Sequence, residues 1–573
     1  MTSILKNITR LGLVSIYPLI LLLCACLIWR KSIYRNTIKK HYKEIISNTL
    51  IVTLVLALMI FVFFKIEDNI YVYDYAGHWV RSLRLRDLFF SNPYAIIPTV
   101  YDSMLYQDYS SLPALFNLVS IIINTSYGFF VLSSMVAFFV PTIILFNILY
   151  FAYLNNKWYI PTIALLAFYP LYITLFFGKI DLVGIFFVLM TFALILLPKF
   201  NDIDVIDNLS FNLFGFLMIF LRRWYLYPLV GLYLVYFVKY LFKYNFKMFN
   251  KSALKDFVKI IGSGIILLLV LLVCFMPFVK NVLTNNFSEA YEVYNHSGKL
   301  KSLINFYSPI ILLISIYGFY HFYKKTNSNY LLVSTLIMII IPTAMFWHIQ
   351  SFEYHHYNIL NSIILFAFAY GLVEIFTKYK ILNIFITIFL FAQSFIVFSP
   401  IKNVPLMTSI RREPVKIENK QEIIDFTYYL KSIMTDDSQS AYLSSSTYML
   451  NDETIRNSIL PDIDAPNIDS AVFDLRDGFP KDLEYVRYII TIDPIKYTDK
   501  EYQHIFDIIT NAVWYEPIIS KLYNPIYETK IGDDTLTVFE RTGEWTDETK
   551  QYFYDEMIKY YPDKTDYFAY ILD

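Results

Sequence analysis

The chain has 573 residues, 57% apolar and 17% charged, with 48 basic and 48 acidic side chains and a mean hydropathy of +0.47. A soluble protein carries about 25% charge, and zero net charge supplies no basic field for nucleic acid, so composition excludes an ordinary soluble domain and argues against a nucleic-acid partner. Cys24, Cys26 and Cys274 all fall within apolar runs, which leaves an exposed domain without a disulfide framework or a thiolate metal cluster.

The apolar excess is gathered into runs such as Leu11–Trp29, Leu50–Phe64, Ile260–Phe278 and Leu331–Phe346. Each approaches the ~20 residues that cross hydrocarbon. The first run is too long for a cleaved signal peptide and is followed by Arg30, Lys31, Arg35, Lys39, Lys40 and Lys43, a cytoplasmic cluster by the positive-inside rule. A second helix near 48–65 then leads outward, and further helices are predicted near 127–153, 158–176, 182–198, 211–222, 225–242, 260–279, 308–323, 330–346, 358–377 and 381–398. That alternation puts Lys157, Lys324, Lys325, Lys378 and Lys380 inside and the carboxy-terminal part outside. Lysines at every fourth position from Lys239 to Lys259, with phenylalanines between them, predict a basic helix lying on anionic lipid.

The predicted domains are therefore a membrane domain over 1–398 and an extracytoplasmic domain over 399–573. In the latter, Ile423, Phe426 and Leu430 predict an amphipathic helix, Ala441–Ser445 and Tyr488–Ile492 buried strands, and Glu501–Asn511 a second helix. Tyr527–Lys530 and Thr535–Glu540, joined by Gly532, Asp533 and Asp534, predict a hairpin. This α/β domain has no phosphate loop, nucleophile elbow or metal-ligand spacing.

Ionisable groups at membrane depth are costly and mark candidate sites. Four clusters arise, all on the predicted outer face. The first spans Asp74, Tyr75 and His78, where Asp74 can also serve as an ordinary helix N-cap, and continues to Asp108 and Tyr109. The second is the short turn with Lys179 and Asp181, and the third is Arg222 and Arg223 in an outer turn that breaks the positive-inside trend. Arginine binds phosphate bidentately and keeps its charge, whereas snorkelling to headgroups is the competing role. The fourth gathers His348, Glu353, His355, His356 and Tyr357; without cysteine or a His-Glu-x-x-His pattern, zinc has little support there.

In this order the motifs resemble those of the C-type (GT-C fold) polytopic membrane glycosyltransferases, and within them the protein-O-mannosyltransferase and aminoarabinose-transferase branch. The likeness lies in Asp74-Tyr75-Ala76, the Tyr109 to Phe116 entry to the next helix, Gly178-Lys179-Ile180-Asp181, Arg222-Arg223-Trp224-Tyr225 and His355-His356-Tyr357-Asn358. The chain departs from that pattern in its extra first helix, in lacking an Asp-Glu doublet, and in Leu-Pro-Ala-Leu where the family has Pro-Pro-Leu.

The resemblance implies an all-α polytopic membrane protein of about twelve transmembrane helices plus amphipathic outer-loop helices, with a C-terminal extracytoplasmic α/β domain. It implies transfer of a sugar from a polyprenyl-phosphate-linked donor to a glycan, lipid or protein acceptor, by direct displacement. Asp74 would be the general base, and Asp181 a second catalytic carboxylate that orients the acceptor, holds Arg222 in place or joins a metal site. Arg222, Arg223, Lys179 and His356 would bind the donor phosphate, and Tyr75, His78, Asp108, Tyr109, His355 and Tyr357 the acceptor or sugar. No cofactor is implied, a divalent metal stays open, and the other partners are membrane lipids, with no nucleic acid. A transporter or flippase, and a polysaccharide polymerase or ligase, are the alternative readings. Transporters gather polar groups at midplane in Gly/Pro-broken helices, whereas these polar groups gather at predicted helix ends.

Overall fold

The computed structural model describes residues 2–107, 109–154, 157–247, 250–284, 296–349, 352–401, 404–436, 438–447, 449–471, 473–497 and 499–573. It divides into two compact units, Met1–Ile66 with Arg81–Pro414, and Glu67–Val80 with Val415–Asp573. The boundary expected at residue 399 lies within the first unit, and a segment just after the second apolar run belongs to the second unit.

The first unit is helical. Its long helices in chain order are α1 (Thr2–Arg30), α2 (Ser32–Ile66), the part of α3 (Asp74–Ser91) from Arg81 on, α4 (Ile96–Tyr106) and α5 (Tyr127–Tyr153). There follow α6 (Tyr159–Ala167), α7 (Val183–Leu196), α8 (Val205–Leu221), α9 (Leu226–Lys243), α10 (Lys251–Cys274) and α11 (Met276–Thr284). The last are α12 (His296–Tyr307), α13 (Pro309–Thr326), α14 (Asn329–Ile349), α15 (Asn358–Lys378) and α16 (Lys380–Ile396). Among the described residues, seven helices are long and apolar enough to cross a membrane, or eight with α12 and α13 taken as one span bent by 86°. Three shorter apolar helices, α7, α8 and α16, add to these. Leu54, Leu58 and Phe61 on α2 and Leu268, Leu269 and Val273 on α10 are exposed, as lipid-facing side chains are. The protein is a polytopic, predominantly helical membrane protein.

Two departures from the expected spans have local causes. The predicted helix over 158–176 is interrupted after Ala167 by a 3-10 turn at Tyr169–Leu171, where Pro170 has no N–H to give. The predicted basic helix across 239–259 is not one helix. α9 ends at Lys243, Asn245 and Phe246 take positive φ, and α10 starts at Lys251. Lys239 is buried and donates to the carbonyls of Ile195, Leu196 and Pro198, while Lys243 pairs with Asp256 at 2.6 Å.

Close approach and buried polar pairs hold the bundle. A Cβ placed on Gly318 of α13 would stand 2.0 Å from the Ala367 carbonyl oxygen, and one on Gly371 of α15 2.2 Å from that of Ile314. Small residues let these two backbones touch, the usual device where lipid offers no hydrophobic drive. Asn48 of α2 donates to Asn147 of α5 at 3.1 Å. Arg30 and Lys31 engage Asp204, the N-cap of α8, and Asp207 in its first turn.

The second unit is built on a five-stranded sheet, β1 (Ala441–Leu443), β2 (Ile468–Asp469), β3 (Tyr488–Asp493), β4 (Tyr523–Ile531) and β5 (Asp534–Arg541), in the order β2-β1-β3-β5-β4. β1 pairs in parallel with β2 and β3, and β5 lies antiparallel between β3 and β4. β3 is buried along Tyr488–Ile492, as an apolar central strand covered on both faces must be. Helices α17 (Lys420–Ile433) and α18 (Asp452–Asn457) cover one side, with Ile423, Phe426, Leu430 and Ile455 against Ile490 and Val538. Helices α19 (His504–Tyr515) and α20 (Asp547–Tyr560) build a second core, with Ile505, Ile509, Phe553 and Met557 packed against Ile489 and Phe539. The segment Glu67–Val80 enters this unit through an Asp68–Lys416 bridge, with Ile70 buried beside Ile423.

Candidate functional site

The first unit concentrates its buried charge at helix ends. After Phe176 the chain turns through Gly178, whose φ of +66° suits glycine, and the Lys179 N–H donates to the Thr174 carbonyl at 3.0 Å. This turn delivers Lys179 and Asp181, both buried, just before α7. α8 ends at Leu221, and Arg222 takes extended backbone (φ −156°, ψ 119°) that turns its side chain off the helix. Its Nε donates to Asp181 Oδ1 at 2.6 Å, with both side chains buried. Tyr225 follows and donates its hydroxyl to the Asp181 carbonyl at 2.6 Å. Gly184 makes room for that ring, since an added Cβ would meet it at 2.3 Å.

The guanidinium groups of Arg222 and Arg81 approach the ring of Tyr109 at 4.8 and 5.4 Å. Each contact draws a cation to the electron-rich face of an aromatic ring. A cavity of ≈ 90 Å³ opens here, lined by Ser103, Gln107, Tyr109, Ser110, Arg222 and Arg223 among others. Guanidinium groups in such a place can bind phosphate or carboxylate through paired N–H donors.

A second group stands next to it. Lys179 Nζ lies 3.1 Å from His355 Nδ1 and 3.7 Å from Glu353. An ammonium only donates, so His355 Nδ1 accepts and its proton resides on Nε2. His356 Nδ1 likewise accepts the Glu353 backbone N–H at 3.1 Å, which also leaves its proton on Nε2. The two imidazoles are 3.8 Å apart between centroids, and His356 is 5.0 Å from the ring of Trp224. Tyr357 is buried between Phe306 and Phe352, and its hydroxyl donates to Ser302 at 2.9 Å.

The structure thus joins Tyr109, Lys179, Asp181, Arg222, His355 and His356 in one unit, with Arg223 on the cavity and Tyr357 beyond Phe352. Asp74, Tyr75 and His78 belong to the second unit. There Tyr73, with φ +51°, precedes the helix and its carbonyl accepts the Gly77 N–H at 2.9 Å. Tyr73 therefore holds the cap position, and Asp74 sits inside the first turn of α3, where an anion is favoured by the helix dipole. His78 is buried. The Tyr73 N–H donates to the Glu453 carboxylate, whose pKa is nonetheless raised, chiefly by burial and then by the nearby charges of Asp452 and Asp74. Asp108 lies outside the described residues. Among the described residues no three His, Cys, Asp or Glu side chains form a metal-ligating group.

Arg81 and Glu353 are parts of the cluster whose pairing the sequence did not disclose. Arg81 follows the Asp74 segment in the polar stretch after the second apolar run, where solvent is the default neighbour. Arg412 is likewise buried, donating to the Phe176 carbonyl at 2.8 Å. Its only sequence signal is adjacency to Arg411 just past the last apolar run.

No protein-family model and no curated protein matches the chain. Among solved structures it is similar to the archaeal oligosaccharyltransferase AglB from Archaeoglobus fulgidus, in complex with an inhibitory peptide and a dolichol-phosphate. The identity is 12% over 87% of this chain and 74% of that one, with a TM-score of 0.39.

Proposed function

We propose that this protein is a membrane glycosyltransferase that moves a sugar from a polyprenyl-phosphate-linked donor to an acceptor hydroxyl at the outer face of the membrane. The observation that carries the reading is the buried Arg222–Asp181 pair at 2.6 Å beside a cavity that Arg223 also lines. The order of motifs along the chain supports the same class.

In the reaction the acceptor oxygen bonds to the anomeric carbon as the bond from that carbon to the phosphate oxygen breaks. The phosphate leaves with the electron pair, as polyprenyl phosphate, and the acceptor proton passes to a base. Charge grows on the leaving oxygen, and fixed guanidinium groups in a partly dry site stabilise it far better than water-exposed ones. Arg222 and Arg223 take that role. Asp181 is a positioning residue, since it holds Arg222 through Nε. His356, carrying its proton on Nε2, is a further donor. The base is Asp74 by the resemblance, and direct displacement inverts the anomeric centre. The second unit stands on the extracytoplasmic side, and the acceptor is a glycan, lipid or protein.

The test is transfer by the full chain in lipid nanodiscs from a synthetic polyprenyl-phosphate sugar with a labelled glycosyl group. Arg222→Lys keeps the charge and loses the planar fork, so transfer falls on the order of 10²–10³-fold. An unchanged rate in that variant refutes the phosphate assignment.

A further inference from the structure

A larger cavity, ≈ 500 Å³, lies in the same unit, and its lining includes Lys299, Lys301, Ser302, Asn305, Glu353 and Ser409. One wall is α12, turned 86° from α13 at Ser308, whose φ is +67°. The opposite strand of chain is pinned to that helix, with the Thr408 hydroxyl and the Ser409 N–H both donating to the Asn305 carbonyl. Phe306, Tyr357 and Phe352 stack as near-parallel rings with centroids 4.3 and 4.8 Å apart, giving the cavity a stiff backing. The space is therefore preformed.

Its chemistry selects a ligand class. Lys299 is buried and donates to the Trp347 carbonyl, while Lys301 stands exposed at the rim. Burying an ammonium costs free energy unless an anion or several acceptors receive it. The carboxylate among the lining residues, Glu353, already faces Lys179 at 3.7 Å and His355 at 3.5 Å. The cavity is thus left with a surplus of positive charge. Ser302, Asn305 and Ser409 can each both donate and accept, as neighbours of hydroxyl groups must. The aromatic rings of Phe306, Phe352 and Tyr357 add apolar faces on which a sugar ring can stack.

We infer that this cavity binds an anionic, hydroxyl-rich molecule, a phosphate- or carboxylate-bearing sugar or polyol, as the glycosyl acceptor. The inference rests on the transferase reading, because Glu353 and Tyr354 line this cavity and also contact Lys179 of the neighbouring cluster. It differs from the donor site in position and in the residues that serve it.

The experiment measures binding of glucose 6-phosphate, and of glucose as its neutral match, to the full chain in phosphatidylcholine nanodiscs. Glucose 6-phosphate binds at least about ten-fold more tightly than glucose, the scale of a charge-assisted hydrogen bond. Lys299→Met and Lys301→Gln each weaken it about ten-fold, whereas Arg222→Lys leaves it unchanged. The exposed Lys301 keeps the test valid if replacing the buried Lys299 unfolds the protein. Equal affinity for both sugars, no binding up to ~10 mM, or binding lost with Arg222 but not with the lysines overturns the inference. Binding that follows the lysines, with no transfer from any polyprenyl-phosphate sugar, supports the cavity and sinks the transferase reading instead.

Discussion

Asp181 and Arg222 can be separated experimentally into what they do for the fold and what they do for chemistry. Their charges meet through a 2.6 Å hydrogen bond with both side chains buried. At charge centres ~4 Å apart and an effective dielectric of ~20, the attraction is about 4 kcal/mol. Asp181→Asn removes the counter-charge and leaves a buried guanidinium, which costs about 3–5 kcal/mol of stability. Arg222→Met should cost a similar amount by stranding the carboxylate. The double variant Asp181→Asn, Arg222→Met buries no charge at this position, and replacing a buried pair by neutral groups is often close to neutral. Most of the stability therefore returns, while transfer stays depressed on the order of 10²–10³-fold because the phosphate has lost its cation. Thermal unfolding and labelled-sugar transfer, both on the full chain in nanodiscs, give the double-mutant cycle. Near wild-type transfer by the double variant would refute the catalytic reasoning. Failure to recover stability would refute the electrostatic part.

Three other changes have definite expected outcomes. Gly184→Ala drives a Cβ into the Tyr225 ring, at 2.3 Å in the present geometry; it should cost about 1–3 kcal/mol and lower transfer by displacing the Asp181 loop, both checked on the purified variant. Asp74→Asn should abolish transfer while the protein still inserts and keeps its melting temperature, and transfer at the wild-type rate would remove Asp74 as base. Glu453 has a folded pKa raised above its unfolded value by burial first, so its stabilising contribution is present below about pH 4.3 and is lost as pH rises through the folded pKa. Glu453→Gln should therefore slow hydrogen exchange in α18 at pH 7.5 and change it little near pH 4; a larger effect at the acid end would reverse the sign of the argument.

The membrane helices were legible because each is a long apolar run, a signal that needs no tertiary information. Where a run broke, the cause was local and present in the letters. Pro170 interrupts the segment after Ala167, and the turn through Asn245 and Phe246 ends α9 before the lysine pattern does. In the second unit, β3 and the β4–β5 hairpin follow from short apolar strands and the Gly532 turn. β2, only two residues long, carries no pattern of its own and exists because β1 offers it an edge. Asp181 and Arg222 stood out separately, as charges flanked by apolar helices. That Asp181 holds Arg222 was one of several roles its position left open, and only the packing of α7 and α8 selects it. Lys299 was invisible for a related reason: in a polar stretch after the α11 segment a lysine is expected in water, and only the approach of α12 to Trp347 of α14 receives its ammonium.

Buried ion pairs stabilise folds as well as sites, so the Arg222–Asp181 pair needs a reason to be counted as functional. A contrast within the same unit supplies one. Arg30 at the end of α1 and the adjoining Lys31 meet Asp204, the N-cap of α8, and Asp207 in its first turn as two cations against two carboxylates, a balanced set that joins two helices. Such a network asks for nothing more. Around Tyr109 the balance is different: Arg81 and Arg222 approach one ring, Arg223 lines the adjoining cavity, and among the described residues lining that cavity none is a carboxylate. Asp181 fixes Arg222 from one side, and Arg223 reaches the same cavity. On the transferase reading, the phosphate at the end of the lipid-linked donor is the anion this cavity receives.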